Sequence, residues 1–364
     1  MYSKGGLNMK KWMYDCVLEA PENCRQILQN KDKLVSGLTD IYTSKNYTKI
    51  VIAASGSSFN IASCAKYAME KYLGKKVEVI HSVTYEKYDY RFHEGALVLC
   101  LSQGGRSTNT LAALDRAKQC GNDVAALVSE PGSPLEQACE HTFLYGSHEA
   151  GKDVFVCRGV PTSTLFLILF ALDAGVKTGS CTKEQYKKAV SDLKKAVELM
   201  PAVREKADAF YEANKTDLCS MERVMTVGIG PGLGVAQEGA LKLEETVGLP
   251  SNFYEMEEFL HGPVYEIKKP HSIFLVDVDR ESHDRALQIF DAMRQLTDHV
   301  YLVSAQASGS RVLTLDTDID PVLLPLLAVI PFQVIASRIC DDTRASGITI
   351  YTWRFMQKMA TKAK

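Results

Sequence analysis

The stretch VGIGPGLGVAQEGALKLEETVGLPSNFYEMEEFLHGP, residues 227–263, combines a strand end, a glycine loop, a helix and a histidine turn. The mostly apolar run at 224–227 predicts a β-strand that breaks at Gly228. Further glycines and a proline predict a loop. A helix is then expected over about 235–247, where Gly248 and the following proline stop it. The stretch therefore predicts one strand, one glycine-rich loop and one helix in succession.

Three charged side chains of this helix fall on one face at about 100° per residue: Glu238, Lys242 and Glu245. A helix that begins behind a glycine loop offers its N-terminus to an anion, and His261 follows in a loop with Gly262 and Pro263. One interpretation is a solvated face with a Glu–Lys pair and a surface histidine. The other is a catalytic face, and the rest of the chain has to decide between them.

The same alternation of strands and helices runs through the rest of the chain. In the first half, strands are predicted at 49–54, 76–80, 96–101, 123–128 and 142–145, with a core helix at 162–174. In the second half, strands are predicted at 223–227, 272–276, 299–303 and 311–315, with helices at 282–296 and about 324–340. Near-continuous apolar strands that alternate with helices predict parallel sheets covered on both faces. The second half repeats the first weakly.

Length and composition exclude several classes of protein. The chain has 364 residues, which suggests two domains, and a formal net charge of −2, which predicts no nucleic-acid or membrane partner. The ten cysteines include no C-x-x-C pair, as is typical of a reduced cytosolic protein without a zinc site or disulfide framework. No stretch resembles a signal peptide or a membrane span. We therefore expect a cytoplasmic protein.

Two hydroxyl-rich loops follow strands of the first half: SGSS at 55–58 and SQGGRST at 102–108. Serine hydroxyls and backbone N–H groups at helix N-termini bind phosphate without a lysine. The alternative is a pair of helix starts that serine merely caps. The recurrence at equivalent strand ends of one sheet favours phosphate. Neither a G-K-[ST] loop nor a G-x-G-x-x-G loop is present, so no dinucleotide is predicted.

Four motifs together give the chain a resemblance to tandem sugar isomerase (SIS) domain proteins: ASGSSFN (54–60), LSQGGRSTNT (101–110), EGALKLEE (238–245) and EEFLHGP (257–263). They follow the order of the isomerase half of glucosamine-6-phosphate synthase and of its deglycase and deaminase relatives. The resemblance implies an α/β fold of two SIS domains. Each would be a parallel five-stranded sheet flanked by helices, a doubly wound, flavodoxin-like three-layer sandwich.

The implied organisation has five parts. They are N-terminal helices (1–45), a phosphate-binding first SIS domain (46–180), connecting helices (181–215), a catalytic second SIS domain (216–345) and a C-terminal tail (346–364).

The resemblance also implies roles for individual residues. The sugar phosphate would be bound by side chains of both loops: Ser57, Ser58, Ser102, Gln103 and Ser107. Glu245 would be the base that moves a proton between C1 and C2 of the open-chain sugar, and Lys242 would stabilise the developing oxyanion. Glu238 would orient the site or bind a sugar hydroxyl. His261 would open the sugar ring from the neighbouring subunit, which implies a homodimer. No cofactor and no metal are implied.

The chain departs from the family at several positions. Gly104 stands where the second loop of the family has a serine, and Arg158 is expected to replace a hydroxyl contact to the sugar or its phosphate. The tail WRFMQK (353–358) keeps the arginine and lysine of a Pro-Arg-x-x-x-Lys motif but loses the proline. Lys358 is thus the candidate for a Schiff base with the ketose, and a merely charged tail is the alternative.

The chain begins at the helix before the first SIS domain, so we expect no glutaminase activity. The leading hypothesis is a deglycase or deaminase–isomerase that acts on a sugar–amine 6-phosphate adduct or an amino-sugar 6-phosphate by a C1–C2 proton shuttle. One alternative is the isomerase part of an ammonia-dependent glucosamine-6-phosphate synthase. Another is a non-catalytic sugar-phosphate regulator. A regulator would need the serine loops but not both Glu245 and His261, so their joint presence favours an enzyme.

Overall fold

The computed structural model describes residues 9–145 and 155–363 and places their strands in two parallel five-stranded sheets. The strands of the first sheet are β1 Ile50–Ala54, β2 Val77–His81, β3 Leu97–Leu101, β4 Asp123–Val128 and β5 Thr142–Leu144. Their order across the sheet is β2-β1-β3-β4-β5. This is the doubly wound, flavodoxin-like order, whose ligand crevice lies at the carboxyl ends of β1 and β3.

The second sheet has the same topology. Its strands are β6 Arg223–Gly228, β7 Ser251–Glu255, β8 His271–Asp277, β9 Val300–Ser304 and β10 Val312–Thr314. Their order is β10-β9-β8-β6-β7, which becomes the order of the first sheet when it is read from the β7 edge. The predicted fold class is therefore confirmed, and the internal repeat extends to the strand order.

The edge strand β7 was not predicted from the residues, although the resemblance implied a fifth strand. Its sequence SNFYE carries no apolar run, and only Ser251 is fully buried. An edge strand pairs on one side only, so it needs fewer apolar side chains than a central strand. Periodicity therefore gave no signal here.

Helices cover both faces of each sheet. The α-helices are α1 Met9–Gln29, α2 Lys31–Ser44, α3 Ser57–Leu73, α4 Ser82–Lys87, α5 Thr108–Gln119, α6 Pro134–Ala138, α7 Gly159–Thr178, α8 Lys183–Ala213, α9 Lys215–Cys219, α10 Pro231–Lys242, α11 His283–Met293, α12 Pro325–Ala328, α13 Ile330–Thr343 and α14 Ile350–Met359. Short 3₁₀ turns span Asp89–Phe92, Glu258–His261, Pro263–Glu266 and Pro321–Leu323, and a π-helical turn spans Leu243–Val247.

Helix α7 is long and apolar enough to cross a membrane by length and composition alone, but 89% of its apolar window is buried inside the structure. It packs against α2 and α3. This is the environment of a core helix, as the sequence predicted.

A shared core joins the two halves of the chain. Alternate residues of β1 point to opposite faces of the sheet: Ile50 and Ile52 belong to a central core, and Val51 to an outer core. The central core also contains Phe274 of β8 and most of α7. The two sheets are thus held against one continuous apolar layer. The proposed domain boundaries at 46–180 and 216–345 stay predictions.

The helix that follows β6 begins earlier than the sequence predicted. Helix α10 starts at Pro231 rather than near Val235, directly after Gly230, whose φ of 51° suits glycine. Proline is favoured in the first turn because its missing N–H would have no helical partner there. Regular α-helix ends at Lys242, and the π-helical turn continues to Val247. Part of the predicted glycine loop is therefore helix.

Candidate active site

The candidate site lies where α3 and α10 cross. Each helix follows the first strand of its sheet and begins after a glycine with positive φ, 58° at Gly56 and 51° at Gly230. A Cβ atom at Gly234 of α10 would lie 2.5 Å from the backbone nitrogen of Cys64 in α3. The absence of that atom lets the two helices approach closely enough for their polar residues to meet.

The charged face of α10 is buried against α3 rather than solvated. Lys242 is 0% exposed and Glu238 is 1% exposed. The Lys242 ammonium lies 3.0 Å from Glu238 Oε1, and it also forms an ion pair with Glu245. The interpretation of this face as a solvated surface is therefore wrong, because the first half of the chain covers it.

First-half residues complete the cluster. Ser57 Oγ donates to Glu238 Oε1 over 3.1 Å and accepts from Lys242 Nζ over 3.1 Å. Asn60 Nδ2 donates to Glu238 Oε2 over 2.9 Å. Sequence reasoning quoted Asn60 in a motif but gave it no role. Its only signal was its position, three residues after Ser57 on the same helix face.

Burial and charge pull the pKa values of the cluster in opposite directions. Burial alone would lower the pKa of Lys242, but the carboxylates of Glu238 and Glu245 raise it above the ordinary lysine value. Burial raises the pKa of Glu245, and the Lys242 ammonium opposes this effect in part. Lys242 is therefore charged at neutral pH, and Glu245 is a stronger base than a solvated glutamate.

Glu245 lies in the π-helical turn at the end of α10. Such turns widen a helix by one residue and often occur at functional sites. Gly347, in the segment between α13 and α14, contacts this turn: its N–H donates to the carbonyl of Thr246 over 3.2 Å. A Cβ atom at Gly347 would lie 2.3 Å from the carbonyl oxygen of Glu245. Glu245 is thus fixed by close backbone contacts while its side chain stays 22% exposed.

The second serine loop follows β3, beside β1 in the first sheet. Ser102, Gln103 and the first-loop residue Ser58 are buried. Ser107 caps α5 by accepting from the N–H of Thr110 over 3.4 Å, so the capping alternative applies to this residue. A Cβ atom at Gly104 would meet nothing within 4 Å. The serine that the family has at this position would therefore fit.

The C-terminal tail reaches this loop. Lys362 forms an antiparallel bridge with Ser107. The N–H of Thr108 donates to Thr361 O over 3.2 Å, and the N–H of Ala363 donates to Arg106 O over 2.7 Å. Lys358, the candidate Schiff-base lysine, lies exposed on α14.

Within the described part of the chain, two predicted site residues, Arg158 and His261, do not contact the cluster of Glu238, Lys242 and Glu245. Arg158 forms an ion pair with Glu19 of α1. His261 is exposed at the end of the turn Glu258–His261. The structure thus brings Ser57 together with Glu238, Lys242 and Glu245, and leaves His261 at the surface of the chain.

Comparisons with known proteins identify the family of the fold. The family model described as the SIS domain matches residues 42–174 and 217–314. A glutamine–fructose-6-phosphate aminotransferase (isomerizing) of Zymomonas mobilis is 27% identical in an alignment of 355 positions that covers 92% of this chain and 56% of that protein. The chain thus spans about half of the length of the curated relatives that it matches.

Solved structures share the fold over most of the chain. A protein of Clostridium difficile 630, provisionally named a phosphosugar isomerase, superposes with a TM-score of 0.87 at 24% identity and covers 96% of this chain and 99% of its own. Glucosamine-6-phosphate deaminase of Thermotoga maritima superposes with a TM-score of 0.72 at 18% identity, covering 93% and 95%. At these identities the likeness establishes the architecture.

Proposed function

Because the chain belongs to the SIS domain family, we propose that it is a phosphosugar isomerase-type enzyme that acts on a sugar–amine 6-phosphate adduct or an amino-sugar 6-phosphate. The observation that carries the proposal is the Glu245 carboxylate beside the buried Lys242 ammonium, next to the first serine loop. A base, a cation near the substrate oxygens and a phosphate clamp are the parts that enolisation of a sugar requires.

The proposed proton transfer is the same for both substrate types. With a ketose–amine adduct, Glu245 removes a proton from C1 and returns it to C2, and the resulting C1 imine is hydrolysed to an aldose phosphate and the free amine. With a 2-amino aldose, Glu245 removes the C2 proton and returns it to C1, and hydrolysis of the C2 imine releases ammonia. The positive charge of Lys242 stabilises the electron density that builds up on the neighbouring oxygen.

The phosphate would be held by Ser58, Ser102, Gln103 and Ser107 at the carboxyl ends of β1 and β3. The burial of Ser58, Ser102 and Gln103 and the place of Ser58 and Ser107 at the starts of α3 and α5 support this assignment. Arg158 would serve only after it leaves Glu19, and Lys358 only after α14 moves. His261 would act in the neighbouring subunit of a homodimer, which its exposure in the single chain supports; a monomer in solution would contradict this part.

A second candidate is ammonia-dependent synthesis of glucosamine 6-phosphate. It is favoured by the aminotransferase relatives, of which this chain matches about half. Both candidates use Glu245 at C1 and C2, so they differ in substrate and not in the base.

The test is an incubation in D₂O with glucosamine 6-phosphate, with fructose 6-phosphate plus ammonia, and with fructoselysine 6-phosphate. Exchange at C1 or C2 is followed by NMR and amine release by a coupled assay. Glu245→Gln should lower the exchange rate by about 10²-fold to 10⁴-fold. The matched control is Glu244→Gln, because Glu244 is the adjacent glutamate and is exposed. Equal rates for wild type and Glu245→Gln would refute the assigned base. Tight binding of a hexose phosphate without any turnover would favour a regulator.

A further inference from the structure

The hydrogen-bond donors of the Lys242 ammonium are all used within the buried cluster. A lysine ammonium has three N–H donors. Those of Lys242 face three acceptors: Glu238 Oε1 at 3.0 Å, Ser57 Oγ at 3.1 Å and the carboxylate of Glu245. The orientation of this ammonium is therefore determined by three partners, one of which comes from the first half of the chain.

The hydroxyl of Ser57 is committed in the same way. A serine hydroxyl has a single hydrogen, and Ser57 directs it to Glu238 Oε1 while its oxygen accepts from Lys242. A phosphate dianion offers only acceptors, so it needs a donor from each side chain that binds it. Ser57 has no second hydrogen for a phosphate, whereas Ser58 beside it is not engaged with Glu238 or Lys242.

Both oxygens of Glu238 are also held from α3. Ser57 occupies Oε1 and Asn60 occupies Oε2 at 2.9 Å. Glu238 is 1% exposed, and its two oxygens already accept from Ser57, Asn60 and Lys242. Glu238 is placed to keep Lys242 charged and in position rather than to bind a sugar hydroxyl.

We propose that Ser57 and Asn60 are positioning residues that fix Glu238 and, through it, the ammonium of Lys242. The expected effect on kcat rests on the proposed function. The expected coupling between Asn60 and Glu238 rests on the geometry alone. Ser57 thus has a role in the charge cluster in place of phosphate binding, and Asn60 has a role that sequence reasoning had not found. Catalysis by the residues of α10 would then depend on how α3 packs against α10.

The kinetic test compares Ser57→Ala and Asn60→Ala with Ser107→Ala, a residue of the phosphate loop. The affinity for fructose 6-phosphate is measured by calorimetry, and kcat and KM by deuterium exchange. Loss of one hydrogen bond to a charged group corresponds to about 10-fold to 100-fold. For Ser57→Ala and Asn60→Ala we expect kcat to fall by this factor while Kd stays within about 2-fold of wild type. For Ser107→Ala we expect Kd to rise by this factor. Ser57→Thr, which keeps the hydroxyl, should restore kcat.

A second measurement does not depend on turnover. Urea denaturation of Asn60→Ala, Glu238→Gln and the double variant forms a mutant cycle. We expect the midpoint shift of the double variant to be smaller than the sum of the two single shifts. Additive shifts would overturn the Asn60 assignment. A Kd loss for Ser57→Ala as large as for Ser107→Ala would overturn the Ser57 assignment. If wild type turns over no substrate, the proposed function fails, while the cycle and the Kd values still decide this inference.

Discussion

Replacement of Lys242 by methionine removes the cation that pairs with both carboxylates of the buried cluster. Methionine fills much of the space of the lysine stem, so the change acts mainly on charge. Glu238, at 1% exposure, would then be left beside Glu245 without a counter-ion. Removal of one partner from a buried ion pair typically destabilises a protein by about 3–5 kcal/mol, because the remaining charge is buried without compensation.

The matched control is Lys188→Met. Lys188 pairs with Asp192 over 2.8 Å at the same i,i+4 separation, but its side chain is 69% exposed. The Lys188 ammonium is solvated, although the side chain of Asp192 is only 15% exposed, so its removal should cost about 0–1 kcal/mol, as for surface pairs. Both variants therefore lose a lysine from an i,i+4 pair on a helix, and they differ chiefly in burial.

The effect of Lys242→Met should also depend on pH. Burial already raises the pKa of Glu245, and loss of the ammonium would raise it further. A carboxylate whose pKa is raised in the folded state stays protonated there while the unfolded chain ionises, so destabilisation grows as pH rises above the unfolded value of about 4.3. We therefore expect a larger loss of stability at pH 8 than at pH 5.

The assay is urea denaturation of the wild type, Lys242→Met and Lys188→Met at both pH values, followed by circular dichroism. The expected result is a large midpoint shift for Lys242→Met at pH 8, a smaller one at pH 5, and little change for Lys188→Met. An equal cost for the two lysines at pH 8, or a cost for Lys242→Met that does not decrease towards pH 5, would refute the reasoning.

Two further predictions concern packing and pH. Gly234→Ala should destabilise the fold by about 1–3 kcal/mol and lower activity, because its Cβ would lie 2.5 Å from the Cys64 nitrogen. The measurement is urea denaturation. The control is Gly104→Ala, because nothing lies within 4 Å of the atom that it adds. His93 is buried and stacks on Tyr85 of α4. Burial and Lys49 lower its pKa against the opposite effects of Glu78 and Asp89. The unfolded chain binds a proton more readily, so stability should fall as pH drops below about 6.5, and His93→Gln should flatten this slope in a pH series of urea midpoints. An unchanged slope would show that His93 is not responsible.

Much of the fold followed from local pattern. The strands at 96–101 and 123–128 lie within a residue of their observed bounds because central parallel strands are apolar on both faces. The start of α10 at Pro231 and the edge strand β7 were missed. Glycine is compatible with both a loop and a first helical turn, and β7 has few apolar residues to mark it.

The sequence by itself determined that Glu238, Lys242 and Glu245 share one face of a helix, since helical periodicity depends only on spacing. It did not determine what covers that face. The partners of Glu238 are 178 and 181 residues away in the chain, and they reach it only because α3 packs closely against Gly234. Whether these charges are solvated or form a buried, mutually oriented cluster was therefore decided by the tertiary structure, because burial is a property of the neighbours that a surface meets and not of the residues that form it.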